Sequence, residues 1–201
     1  MCGVGAGSKV GGMKRAMWVA GAVVCVWPVV AGAQMSVNLL GDPGFEEWAG
    51  DTETTNWVRF GNAVCEALTP RTGTFVTKVY GNFKTEINHS GIYQDVPAAA
   101  GKRYVASAYL RHNSGDSLQG GNRVWLKLEL YDGAGKLLKA FESARSIEDN
   151  DPVNKWMLLS TSSTPAPEGT ARARVVILFL QKADNATGAV LVDDVALTTT
   201  P

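Results

Sequence analysis

The chain has 201 residues, with 19 basic and 19 acidic side chains and therefore no formal net charge at pH 7. This balance excludes the strongly basic surface that nucleic-acid binding requires. The length is enough to bury one hydrophobic core, and no linker or internal repeat divides the sequence into further domains.

The first 33 residues are expected to be a secretory signal peptide. Lys14 and Arg15 supply a positive start, residues 16–30 form an apolar stretch, and Ala31-Gly-Ala33 is an A-x-A cleavage signal. The apolar stretch is shorter than the roughly 20 residues of a membrane-spanning helix, so a retained anchor is the alternative. Cleavage would leave residues 34–201 as one secreted, periplasmic or cell-surface domain without a membrane span.

Removal of that segment changes both the charge and the cysteine content. Three of the basic residues and none of the acidic ones lie in it, so 16 basic residues would face 19 acidic ones. Cys65 would be the one cysteine left, and no intramolecular disulfide could form. The domain must then be stabilised by its core, or by a metal ion.

Turn-forming residues recur about every 8–12 residues without a sustained helical period, which predicts an all-β fold. The number of predicted strands exceeds what one layer usually holds, so we expect two packed sheets in a β-sandwich of jelly-roll type. The predicted strands are 37–40, 57–60, 63–68, 74–80, 91–96, 103–111, 123–131, 137–141, 156–163, 172–181 and 189–198.

Acidic residues follow the first predicted strand and interrupt the last one. Glu46 comes directly after the turn cluster Gly41-Asp-Pro-Gly44, and Asp193 and Asp194 lie in the middle of an otherwise apolar strand. Successive strand residues point to opposite faces, so Asp193 and Asp194 are expected to diverge. They would then not form the convergent carboxylate pair of a glycosidase.

Two strands in the middle of the chain, 103–111 and 123–131, alternate apolar residues with aromatic and charged ones. Sugar rings combine an apolar C–H face with a fringe of hydroxyls, so flat aromatic side chains flanked by polar groups suit them. We expect the non-core faces of both strands to form a single aromatic surface, or to pack under a loop. The candidate ligand-binding residues are Trp125, Tyr109, Arg111, Lys127, Glu129 and Tyr131.

Three polar stretches lack any alternation and are predicted to be loops that border binding faces: 81–90, 112–122 and 142–155. Motifs of metalloproteases, serine hydrolases and P-loop enzymes are absent from the sequence. The two histidines, His89 and His112, both lie in these polar stretches and are expected to be exposed. The sequence therefore predicts a protein that is not an enzyme.

Three motifs carry a resemblance to a known family. They are Asn38-Leu-Leu-Gly-Asp-Pro-Gly-Phe-Glu-Glu47, then Gln94-Asp-Val96 followed by Gly101-Lys-Arg-Tyr104-Val-Ala-Ser107-Ala-Tyr109, and finally Val192-Asp-Asp-Val-Ala-Leu197. Together they resemble the galactose-binding-domain-like carbohydrate-binding modules of the cellulose- and xylan-binding jelly-roll type, families four, nine and twenty-two. The resemblance covers nearly all of residues 37–198.

The resemblance implies a non-catalytic module that binds a polysaccharide of the β-glucan or xylan class, alone or as an accessory to a glycoside hydrolase encoded elsewhere. It also implies a structural Ca²⁺ held by Glu46 and Asp193, with Asp194 or Asp42 as substitutes and backbone carbonyls completing the shell. Two alternatives remain open: a structural or adhesion β-sandwich that binds another protein, and a small jelly-roll polysaccharide-degrading enzyme. The oligomeric state is not predicted.

Overall fold

The computed structural model of the protein describes residues 37–162, 164–182 and 186–200. The signal peptide expected at residues 1–33 lies outside the described residues and stays a prediction. Within the described ranges, no helix has the length and apolar character needed to cross a membrane.

The described chain is built from ten strands, which match ten of the eleven predicted ones. They are β1 (Val58–Phe60), β2 (Asn62–Glu66), β3 (Val76–Tyr80), β4 (Asn88–Pro97), β5 (Arg103–Arg111), β6 (Arg123–Asp132), β7 (Leu137–Glu142), β8 (Met157–Ser160), β9 (Thr170–Gln181) and β10 (Ala189–Thr200).

The strands form two five-stranded antiparallel sheets. Sheet I has the order β1-β4-β9-β6-β7, and sheet II has the order β2-β3-β10-β5-β8. The chain passes from one sheet to the other through Gly61, whose φ of 60° favours glycine. A side chain there would also place its Cβ 2.7 Å from the carbonyl oxygen of His89. The prediction of an all-β, two-sheet sandwich is confirmed.

The hydrophobic core lies between the two sheets and follows the predicted alternation. Ala106, Ala108 and Leu110 of β5 and the alternating aliphatic residues of β6 are buried. The largest fully buried side chains include Phe45, Ile92, Leu110, Leu118, Leu126, Leu128, Leu130, Ile147, Leu159, Ile177, Phe179 and Leu197. Because each strand buries one parity of residues here, the other parity faces outward from its own sheet.

The strand predicted at 37–40 is wrong, because side-chain hydrogen bonds replace a ladder there. Asn38 donates through Nδ2 to the carbonyl of Val195 at 3.0 Å, and its Oδ1 accepts from the amide of Leu197 at 2.9 Å. One backbone bond, from the amide of Leu39 to the carbonyl of Leu197, adds to them at 2.8 Å. The segment therefore follows β10 without becoming a strand.

The expected divergence of Asp193 and Asp194 is also wrong. Asp194 has a positive φ of 47°, and the β10–β5 register shifts between Asp193 and Ala196. This bulge turns both carboxylates towards one loop. Asp193 Oδ2 accepts from the amides of Arg71 and Thr72 at 2.8 and 3.1 Å, while the Thr72 hydroxyl donates to Asp194 at 2.7 Å.

Candidate functional site

The six candidate ligand-binding residues do not share one surface. Trp125, Lys127, Glu129 and Tyr131 lie on the outer face of sheet I, since they belong to β6. Tyr109 and Arg111 belong to β5 and lie on the outer face of sheet II. The single surface predicted from these two strands is wrong, because β5 and β6 bury their apolar parity against the same core from opposite sides.

Four residues from four adjacent strands form a row across the outer face of sheet I. Phe60 of β1 pairs with Gly91 of β4, Gly91 pairs with Leu178 of β9, and Leu178 pairs with Trp125 of β6. Three interstrand spacings separate the two ends of the row, so the row is roughly 14 Å long. We refer to the outer face around Phe60, Tyr93, Trp125 and Tyr131 as the aromatic face.

Gly91 is what allows the Phe60 ring to lie across this row. A Cβ at position 91 would stand 2.7 Å from Cζ of Phe60 and would collide with the carbonyl oxygen of Ile177. The Phe60 ring also approaches the Tyr93 ring, with 6.4 Å between the ring centroids. The absence of a side chain at Gly91 therefore leaves a low apolar strip between the aromatic residues.

A charged cluster lies beside this strip, four residues further along β4 and β9. Arg174 donates to both carboxylate oxygens of Asp95, each at 2.8 Å. Its guanidinium carbon lies 3.8 Å from the Tyr93 ring centroid and 5.3 Å from that of Tyr131. The planar guanidinium is thus fixed by a bidentate ion pair and two aromatic rings, which is a rigid arrangement for a long side chain.

Tyr131 is held in its neutral form by its surroundings. Desolvation, followed by its 2.6 Å hydrogen bond to Glu129 Oε2, raises the pKa of Tyr131 to about 12. The phenol therefore donates to the Glu129 carboxylate throughout the physiological range. Arg172 lies over the ring on the same face, with its guanidinium carbon 4.7 Å from the centroid.

Trp125 stands between two cations at the other end of the aromatic face. The guanidinium carbon of Arg123 lies 5.0 Å from its ring centroid, and the ammonium of Lys127 lies 5.6 Å from it. Lys127 also pairs with Glu142 of β7 at 2.9 Å. An indole flanked by cations combines an apolar surface with hydrogen-bond donors on either side, which is the combination that a sugar ring matches.

Comparison with known proteins gives a clear result for the fold. No protein-family profile matches the sequence, and no curated protein matches it either. A family 61 carbohydrate-binding module in complex with β-1,4-galactotriose is similar in structure, with a TM-score of 0.53, 17% identity, and coverage of 82% of this chain and 100% of that one. The xylan-binding family 22 module of Paenibacillus barcinonensis Xyn10C has a TM-score of 0.50 and 18% identity, over 78% and 90% of the two chains. The protein has the fold of these carbohydrate-binding modules.

The same carbohydrate-binding-module fold is found within a larger protein. An arabinose-bound α-L-arabinofuranosidase is similar to this chain with a TM-score of 0.54 and 16% identity. The similarity covers 81% of this chain and only 26% of that enzyme. The likeness at this identity describes the fold alone, so the ligand has to be argued from the residues of the aromatic face.

On sheet II of this fold, the Tyr109 ring is already covered by a side chain. The guanidinium carbon of Arg71 lies 3.5 Å from its centroid, and Arg71 also forms an ion pair with Asp194. Arg111 lies two residues further along β5, and its Nε donates to Asn113 Oδ1 at 2.7 Å. Tyr109 therefore packs under Arg71, as Tyr93 packs under Arg174 on the aromatic face. Arg111 faces a groove that is separate from the aromatic face.

The two residues implied as calcium ligands meet the same loop, 71–75. Both oxygens of Glu46 accept from the amide of Thr74, at 3.0 and 3.1 Å. Asp193 is fully buried and accepts three backbone amides, and desolvation raises its pKa in spite of those bonds. Among the described residues, no three or more His, Cys, Asp or Glu side chains are arranged to hold a metal. The implied set also needs backbone carbonyls, so the ion stays a prediction from the resemblance.

The two histidines lie in different environments. His89 is exposed, but His112 is fully buried, contrary to expectation. The ring of His112 accepts from the amide of Leu118 at 3.3 Å and contacts the carbonyl of Asp151 at 3.0 Å. Both ring nitrogens are therefore used to hold loops together.

Sequence reasoning missed part of the aromatic face. Phe60, Tyr93, Leu178 and Arg174 were predicted to lie in strands, and the alternation of 91–96 places Tyr93 on the side opposite Ile92. That signal could have identified them as outward-facing residues. It could not show that their strands lie beside β6, because strand order depends on long-range pairing.

Proposed function

We propose that the protein is a secreted, non-catalytic carbohydrate-binding module that binds a polysaccharide of the β-glucan or xylan class on the aromatic face. The observation that carries this proposal is the row Phe60, Gly91, Leu178 and Trp125, which crosses four strands of sheet I. An extended apolar strip with aromatic residues at both ends matches the C–H faces of consecutive sugar rings.

The charged residues beside the strip supply the second requirement, which is hydrogen bonding to hydroxyls. Arg174 and Asp95 are fixed in a bidentate pair, and Glu129 is fixed by Tyr131. Such groups need little reordering when a ligand binds, so a smaller entropic cost opposes association. Their alternating sign suits hydroxyls, which both donate and accept.

The structural neighbours support a carbohydrate as the ligand. One of them is a complex with β-1,4-galactotriose, and another is a xylan-binding domain. The non-catalytic part of the proposal is supported by His112, whose ring is engaged in loop contacts, and by the bulge that ties Asp193 and Asp194 to residues 71–72.

The test is affinity electrophoresis of the protein through gels that contain soluble xylan, mixed-linkage β-glucan or β-1,4-galactan. We expect retardation by at least one polymer and about tenfold weaker binding in Trp125→Ala, since one stacking contact contributes roughly 1.4 kcal/mol. Leu158→Ala is the matched control, because Leu158 is a 52% exposed apolar residue on the opposite sheet.

Two results would overturn the proposal. If no polymer retards the protein, the structural or adhesion β-sandwich becomes the better description. If Trp125→Ala and Phe60→Ala are both retarded like the unchanged protein, the aromatic face is not the binding surface.

A further inference from the structure

A groove crosses the outer face of sheet II, on the opposite side of the sandwich from the aromatic face. One pocket in it has a volume of about 380 Å³ and a second has about 210 Å³. The two share Glu66, Lys78 and Asp116 as lining residues, so they form one continuous depression. We refer to it as the opposite groove, which runs from Arg111 on β5 to Phe83 beside β2 and β3.

The floor of the opposite groove combines apolar and charged side chains, and its length is set by strand pairing. Leu191 of β10 pairs with Lys78 of β3 on one side and with Arg111 of β5 on the other. Lys78 pairs in turn with Val64 of β2. Three interstrand spacings, roughly 14 Å, therefore separate the ends of this row, the same span as on the aromatic face.

Three loops that the sequence predicts to border a binding face meet around this groove. Phe83 comes from the stretch 81–90, Asn113 and Asp116 come from 112–122, and Asn154 comes from 142–155. Loops from three separate regions thus surround one depression on a rigid sheet, which is the usual construction of a ligand site.

Two opposite charges in the groove lack an ion-pair partner among the described residues. Lys78 and Asp116 pair with each other at 2.7 Å. Arg111 uses only its Nε, on Asn113, and the carboxylate of Glu66 accepts only the amide of Ala67 at 3.1 Å. The terminal guanidinium nitrogens and a carboxylate therefore face the same cavity, one ready to donate and the other to accept.

An aromatic pair extends the groove beyond these charges. The rings of Tyr80 and Phe83 are stacked, with 5.7 Å between centroids and 13° between planes, and Phe83 is 44% exposed. A ligand that fits must therefore have an apolar face for the aromatic pair, and neighbouring groups that both donate and accept for Glu66 and Arg111. Vicinal hydroxyls on a pyranose ring meet both requirements.

We propose that the opposite groove is a second carbohydrate-binding site, so that one molecule holds two glycan chains, one on each face of the sandwich. The second site stands on the residues of sheet II alone. The cross-linking of two chains rests in addition on the proposed function of the aromatic face.

The experiment compares Trp125→Ala, Arg111→Ala and the double variant on the same xylan, β-glucan and galactan gels. Arg103→Ala is the matched control, because Arg103 lies on the same face of β5 but does not line the groove. We expect each single variant to keep part of the retardation, the double variant to migrate as in a gel without polymer, and the control to behave like the unchanged protein. Glu66→Gln, which keeps the side-chain shape, should weaken binding as Arg111→Ala does.

Cross-linking gives a second readout. The unchanged protein, confirmed as a monomer by light scattering, should raise the viscosity of a soluble polymer that it binds, and neither single variant should. If Arg111→Ala and Glu66→Gln bind and cross-link like the unchanged protein, the second site is refuted while the aromatic face stands. If Arg111→Ala alone abolishes retardation and Trp125→Ala has no effect, the aromatic face fails and the groove remains as the site. If the gels retard none of the proteins, both proposals fail.

Discussion

Replacement of Gly91 by alanine tests whether the strip on the aromatic face depends on a missing side chain. The new methyl carbon would stand 2.7 Å from Phe60 Cζ and would collide with the carbonyl oxygen of Ile177, which is backbone in the neighbouring strand. Overpacking of this kind lowers the free energy of unfolding by about 1–3 kcal/mol, because strand β4 or the Phe60 ring has to move.

The expected loss can be measured by thermal unfolding and by gel retardation. For a domain of this size, 1–3 kcal/mol corresponds to a midpoint lower by about 2–12 °C. Binding on the aromatic face should also weaken, since the Phe60 ring can no longer lie across position 91. Gly133→Ala is the control, because Gly133 has open space around its Cα and no positive φ.

A double variant separates the two contacts of the new methyl group. If Phe60→Ala restores the stability of Gly91→Ala, the clash with the ring dominates; if it does not, the clash with the Ile177 carbonyl dominates. A Gly91→Ala protein that unfolds at the same temperature and binds like the unchanged protein would refute the reasoning.

Three further outcomes are expected. Folding raises the pKa of Tyr131 to about 12 from the usual 10. The stabilising contribution of Tyr131 is therefore complete below pH 10 and is lost as the pH rises towards 12. The midpoint of denaturation should fall over that window, and it should fall less in Tyr131→Phe. If Glu46 and Asp193 hold the Ca²⁺ that the family resemblance implies, chelation should lower the thermal midpoint and added Ca²⁺ should restore it, whereas an unchanged midpoint would show that their bonds to backbone amides hold residues 71–75 without an ion. Asn38→Ala should lower the free energy of unfolding by about 1–3 kcal/mol, because the carbonyl of Val195 and the amide of Leu197 lose their partner. Asn38→Asp keeps the acceptor for Leu197, so a urea titration should show a smaller loss.

The strands were predictable from the sequence, because alternation and turn residues are local signals. The strand predicted at 37–40 failed since Asn38 satisfies the neighbouring backbone with its side chain, and apolar composition alone does not reveal this. The spacing within one strand also correctly places Trp125 and Tyr131 on a shared face of that strand.

What could not be predicted was the arrangement of strands that are distant in sequence. Tyr109 and Trp125 lie in consecutive strands with the same pattern, yet the loop between those strands crosses from sheet II to sheet I. Nothing local distinguishes a connection within a sheet from one between sheets. The bulge at Asp194 is a similar case, because its positive φ is set by contacts with residues 71–72 that are far away in the chain.

The place of β10 has a consequence for the order in which the protein can fold. This 12-residue strand is synthesised after the other nine, yet it is the central strand of sheet II, between β3 and β5. The side chain of Asn38 also depends on β10, because its hydrogen bond to the carbonyl of Val195 joins residues 157 positions apart. A nascent chain that lacks β10 holds two disconnected halves of a sheet with unpaired edges. We therefore expect the domain to fold only once β10 has left the ribosome, and a stop codon ahead of that strand to yield an aggregation-prone product.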